Sequence, residues 1–179
     1  MNKFLSAISI STLSISSVFA ADGLITIKGQ IVDTTCTVSV NGGAKDTTVT
    51  LPKVSSSSLG ASGQTAGATP FSIALSGCTG VSMSTASTHF EPGSHVDGLT
   101  GRLNNDLTAA DAATNVQVEL LNSKMSPIKA GAANADQNDI PVDISTGSGL
   151  LNYYAQYYAT DLASPGAVST LVNYTITYQ

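Results

Sequence analysis

Tryptophan is absent from the 179-residue chain, and cysteine, histidine and basic residues are scarce: two cysteines, two histidines, and seven lysines and arginines together. Each shortage removes a class of function. Against twelve acidic residues the few bases leave a net charge of −5, so simple repulsion disfavours a nucleic acid or an anionic membrane as partner. Both histidines fall in His89-Phe90-Glu91-Pro92-Gly93-Ser94-His95, which turn chemistry explains as well as metal binding does. A catalytic triad would have to recruit one of them, and no Gly-x-Ser-x-Gly elbow stands outside low-complexity context. Phosphate loops, Cys-x-x-Cys pairs and dinucleotide-binding glycine patterns are missing as well. The expectation is a protein without cofactor or metal and without enzymatic activity. Charged residues make up only 11% of the chain while 42% are hydrophobic, and disorder would require the opposite balance.

What is present begins with an export signal. Lys3 supplies a positive start, Phe4 to Val18 is an apolar, serine-rich run, and Val18-Phe19-Ala20 carries the small residues that signal peptidase requires. Residues 1–20 are therefore read as a signal peptide, with cleavage after Ala20 or Ala21. The run is too short and too diluted by serine to provide the roughly 20 apolar residues that span a bilayer. The remaining 159 residues suit one domain. Outside the reducing cytoplasm, the default reading of Cys36 and Cys78 is one disulfide; a metal pair or a reactive thiol finds no histidine or acidic neighbours beside either cysteine. Closing that loop would disfavour the unfolded chain by about 4 kcal/mol in the chain-entropy model.

Alternation of apolar with polar residues recurs along the chain, and no window sustains a helical period. The clearest runs are Leu24 to Ile31, Cys36-Val38-Val40, Val49-Leu51, Phe71-Ile73-Leu75, Val116-Val118-Leu120, Ile140-Val142-Ile144, Tyr154 to Tyr158 and Val168 to Tyr178. Turn material separates them, notably Asn41-Gly42-Gly43, Glu91-Pro92-Gly93 and Ser164-Pro165-Gly166. The pattern predicts an all-β sandwich of antiparallel sheets, with Ser55 to Thr69 as a surface loop and room for a short helix at Ala109 to Ala113 or around Ser57 to Leu59. Tyr153, Tyr154, Tyr157 and Tyr158 could form a sugar-binding platform, but in a strand they alternate faces, which places half of them in the core.

The two ends of the chain stand out. Near the start, Ile25, Ile27, Gly29 and Ile31 share one face of an extended segment, opposite Thr26, Lys28 and Gln30. At the end, Val172, Tyr174, Ile176 and Tyr178 share one face of an expected terminal strand, with no further strand expected after it to cover its edge. A long apolar edge left open is a template for pairing with another chain.

Here the sequence resembles the type 1-like pilins of the chaperone–usher pathway over almost all of the mature chain. Gly166 is the fourteenth residue counted from the end, alternation follows it, and Tyr178 is next to last, as in the family's chaperone-recognition signature. Cys36 and Cys78 resemble the cysteines that staple the family's first two strands, and Phe71-Ser72-Ile73-Ala74-Leu75-Ser76-Gly77-Cys78 its strand into the second cysteine. Asn115-Val116-Gln117-Val118 and Ala155-Gln156-Tyr157-Tyr158-Ala159-Thr160 are similar to further family segments.

The resemblance implies an incomplete immunoglobulin-like sandwich that lacks its final strand, leaving a groove open to the core. A periplasmic chaperone would lend a strand to the groove, and at the outer-membrane usher the N-terminal extension of the next subunit would replace it. Residues 21–31 would be that extension, with Ile25, Ile27 and Ile31 filling pockets and Gly29 crossing a shallow place; residues 32–179 would be the pilin domain. Gly166, Val172, Tyr174, Ile176 and Tyr178 would form the groove edge that the chaperone reads. The implied partners are identical or related pilin subunits, the chaperone, the usher, and a host or surface receptor for the assembled fibre, with the protein exported through the periplasm to a cell-surface fimbrium that supports adhesion. A tip adhesin would carry a receptor-binding domain ahead of the pilin domain, and a base-terminating subunit would lack a usable extension, so an internal repeating subunit is expected. The alternative from another class is a free secreted carbohydrate-binding β-sandwich.

Overall fold

The computed structural model describes residues 26–29, 31, 33, 35–80 and 84–179. The chain divides into two units, Met1–Ile31 and Val32–Gln179. The described residues of the first lie in neither helix nor strand, and Ile27 and Ile31 are exposed. Ile25 falls outside the described residues.

The described residues of the second unit form eight strands: β1 (Thr35–Val40), β2 (Thr65–Thr79), β3 (Thr85–Phe90), β4 (Leu103–Asn104), β5 (Val116–Leu121), β6 (Val142–Asp143), β7 (Ser148–Ala159) and β8 (Tyr174–Tyr178). They form a five-stranded sheet ordered β1-β2-β7-β5-β4 and a three-stranded sheet ordered β6-β3-β8, with every ladder antiparallel. Alternation sets the inner faces: Ile73 and Leu75 of β2, Leu151, Tyr153 and Ala155 of β7, and Val118 and Leu120 of β5 pack with Ala86 and Phe90 of β3 in one core. The Tyr153 ring meets the edge of Phe90 at 5.3 Å between centroids, joining the two sheets at the centre of that core. Cys36 and Cys78 form the disulfide, tying β1 to β2.

The structure departs from the sequence expectations at several points. The stretch Ser55 to Thr69 is not all loop: Thr65–Thr69 already belongs to β2 and pairs with β7 through a bulge between Ala66 and Thr69, with Gly67 at a φ of +70° that suits glycine. β3 was not visible as a strand, because its inward positions Ala86 and Thr88 are small or polar and only Phe90 advertises a core face. The last strand is shorter than Val168 to Tyr178, since only Tyr174–Tyr178 finds a ladder partner. The short helix near Ser57 is a 3-10 turn over Ser56–Leu59 capped by Ser55, and 109–113 is not helical.

Candidate functional site

The register of β8 fixes which way its backbone points. Gln179 and Thr85 exchange both of their hydrogen bonds at 2.9 Å, and Glu91 N–H donates to Asn173 C=O at 2.8 Å. In an antiparallel pair the bonded residues alternate, so Asn173, Thr175, Thr177 and Gln179 face β3, and the N–H and C=O groups of Tyr174, Ile176 and Tyr178 point to the opposite side. The same parity continues upstream. Ala167 N–H donates to Asp111 C=O at 2.7 Å, Asp106 N–H donates to Ser169 C=O at 2.8 Å, and Ser169 N–H donates to Asn105 Oδ1 at 2.7 Å. Val168, Thr170 and Val172 are left facing outward. Among the described residues no hydrogen bond engages the backbone of these six even-numbered positions.

Across from this rim runs the segment 45–51, which belongs to no strand although Val49 and Leu51 alternate inward. Between the rims lies a cleft of about 1040 Å³. Its floor is the core itself, reached by Ile73, Phe90, Leu103, Val118 and Leu120, and its walls include Val168, Val172, Tyr174, Ile176 and Tyr178. An apolar interior opened along an unpaired backbone edge is the geometry of a missing strand. The Thr170 hydroxyl adds to this: it is buried in the wall without a hydrogen-bond partner, a costly state that an added polar group would relieve. Among the described residues one polar tie links the rims, from the Tyr174 hydroxyl to the Lys45 carbonyl at 2.9 Å. Burial, with a further contribution from the nearby Asp46 carboxylate, pushes the Tyr174 hydroxyl above its ordinary pKa, so it remains a donor.

Of the residues singled out from the sequence, Val172, Tyr174, Ile176 and Tyr178 are brought together on one wall, and Cys36 and Cys78 are bonded. Gly166 does not line the cleft. Its place is a close approach: a Cβ there would stand 2.5 Å from Ala113 N and from Asp111 O, so only glycine lets residues 111–113 lie against the start of the rim. Sequence reasoning missed the opposite rim 45–47, which has no apolar alternation to betray it. Among the described residues no three histidine, cysteine or acidic side chains gather as a metal-ligand set.

Comparison with known proteins gives the arrangement its context. The family model for the type-1 fimbrial protein, A, matches residues 51–179. The chain is 52% identical to the major fimbrial subunit SMF-1 of Stenotrophomonas maltophilia, over 89% of this chain and 94% of that one. It is 44% identical to the F17 fimbrial protein of Escherichia coli, over 95% and 94% of the two chains. Among solved structures, the P pilus rod subunit PapA matches with a TM-score of 0.57 and 20% identity over 80% of this chain and 99% of that one. A chain of a chaperone–usher pilus matches with a TM-score of 0.58 and 21% identity over 92% and 100%. At that identity the structural matches speak for the fold, an immunoglobulin-like sandwich short of a strand. Together with the family match and the sequence relatives, they place the chain in the type-1 fimbrial protein family, as a structural subunit of a surface fimbria that supports adhesion.

Proposed function

We propose that subunits of this protein join by strand donation, residues 21–31 of one copy lying in the cleft of the next. The observation that carries this reading is the unpaired edge from Val168 to Tyr178 standing directly over an exposed core. Ile25, Ile27 and Ile31 of the donor supply the apolar side chains, and Gly29 passes where the floor is shallow. Three buried isoleucines contribute roughly 5 to 9 kcal/mol, and each ladder hydrogen bond about 0.5 to 1.5 kcal/mol. A joint of that strength persists kinetically.

Before assembly the same edge is occupied by a periplasmic chaperone, whose strand is exchanged at an outer-membrane usher. The fibre then presents its subunits to a host or surface receptor, and no catalysis is involved. A free secreted carbohydrate-binding sandwich would leave the cleft without an occupant.

Two variants test the donor assignment: Gly29→Ile and Ile27→Asp should leave the chaperone complex intact and stop fibre growth, and normal fibres from either, seen by electron microscopy, would refute it. Appending a second copy of residues 21–31 after Gln179 should instead give a stable monomer.

A further inference from the structure

On the face of the large sheet opposite the core lies a second depression, of about 320 Å³. Ser72 pairs with Asn152 and Pro70 with Tyr154 across β2 and β7, and alternation against the core residues Ile73, Leu151 and Tyr153 puts all four on the outer face. Asn41, from the turn after β1, closes one side. Its backbone stands at a φ of +52°, a left-handed conformation that asparagine tolerates better than most residues.

Asn41 is clamped twice onto one residue: its N–H donates to Ser72 C=O and its Oδ1 accepts from Ser72 N–H, both at 2.9 Å. The side-chain NH2 of Asn41 is thereby held in place, and among the described residues its hydrogens are unused. Among the described residues, the Ser72 hydroxyl, the Asn152 amide and the Tyr154 hydroxyl likewise make no hydrogen bond within the chain. No carboxylate, ammonium, guanidinium or imidazole lines the depression.

These features select a ligand chemistry. A charged molecule would find no counter-charge, and a purely apolar one would strip water from four polar groups and return nothing. The Tyr154 ring beside Pro70 offers an apolar platform, ringed by amide and hydroxyl groups that donate and accept. The volume is near the lower end of small-molecule sites, enough for one ring. We propose that this depression binds one neutral pyranose ring of a carbohydrate, its C–H face on Tyr154 and its hydroxyls on Asn41, Ser72 and Asn152. The site is on every copy, so weak individual binding multiplies along a fibre. It shares only Phe71 with the lining of the cleft and does not depend on how subunits join.

The test is saturation-transfer NMR on the assembled protein with methyl glycosides of mannose, galactose and N-acetylglucosamine, and with glucose 6-phosphate as the charged control. Saturation should reach the ring protons of at least one neutral glycoside and none of the charged sugar. Tyr154→Ala should reduce the signal roughly tenfold. Asn152→Ala, which removes an exposed amide with no internal bond and so leaves the fold alone, should reduce it roughly fivefold. No transfer to any neutral glycoside, equal transfer in Asn152→Ala, or equal transfer to glucose 6-phosphate would each overturn the assignment.

Discussion

The three-stranded sheet has two long edges, and the protein treats them in opposite ways. On the far side of β3, Ala86 pairs with Val142 of β6, and beyond that short ladder the backbone is capped by side chains. Thr88 N–H donates to Asp139 Oδ2 at 2.6 Å, and Phe90 N–H donates to Gln137 Oε1 while Gln137 Nε2 donates back to Phe90 C=O, both at 2.9 Å. The Gln137 amide thus imitates a strand partner, and it is only 1% exposed. Among the described residues nothing comparable caps the β8 side. An open edge is an aggregation hazard. A fold that plugs one edge with a buried amide and leaves the other bare over its own core is selective about where another chain can add.

The strongest way to break that asymmetry is Gln137→Leu. It leaves the Phe90 N–H without its partner in a buried place and costs about 3 kcal/mol, read by urea denaturation of the monomer completed by a second copy of residues 21–31. A second open edge should also appear, so that the variant forms irregular aggregates where the parent forms single fibres. Unchanged stability together with unchanged fibre shape would show that Gln137 is not the plug.

The open edge was legible in the sequence and the closed one was not, for a physical reason. Val172, Tyr174, Ile176 and Tyr178 announce their shared face through period-two alternation, the signal that burial on one side of a strand imposes. Gln137 and Asp139 sit after a short 3-10 turn, Asn134–Asp136, and meet Thr88 and Phe90 from about 50 positions away in sequence. No local pattern records such a contact. β3 was hidden for a related reason: its buried Ser87 and Thr88 read as surface. The rim 45–51 illustrates the converse, since Val49 and Leu51 alternate like a strand and yet find no ladder among the described residues. The disulfide was legible from compartment and count alone.

A smaller effect is expected where the start of the bare rim packs against residues 111–113. Gly166→Ala forces a methyl group against the backbone at Asp111 and Ala113, where a Cβ would be 2.5 Å away. Overpacking against backbone costs about 2 kcal/mol. The rim should loosen locally, so hydrogen exchange at the Ala113 and Ala167 amides quickens while that of β2 and β7 stays slow. Equal protection in the variant would mean that the strand after Gly166 is held by its ladder to β3 alone.

The smallest effect isolates the one polar tie across the cleft. Tyr174→Phe keeps the ring on the core and removes the hydrogen bond to Lys45 C=O, a loss of about 1 kcal/mol. Because burial and Asp46 raise the Tyr174 pKa in the folded protein, its contribution is complete below the unfolded value near 10 and is lost as pH climbs through the folded value. The parent should therefore lose stability on the alkaline side of pH 10 more steeply than the phenylalanine variant, and the two curves should converge there. Parallel curves would place the hydroxyl in water, leaving the two rims joined only through the core beneath them.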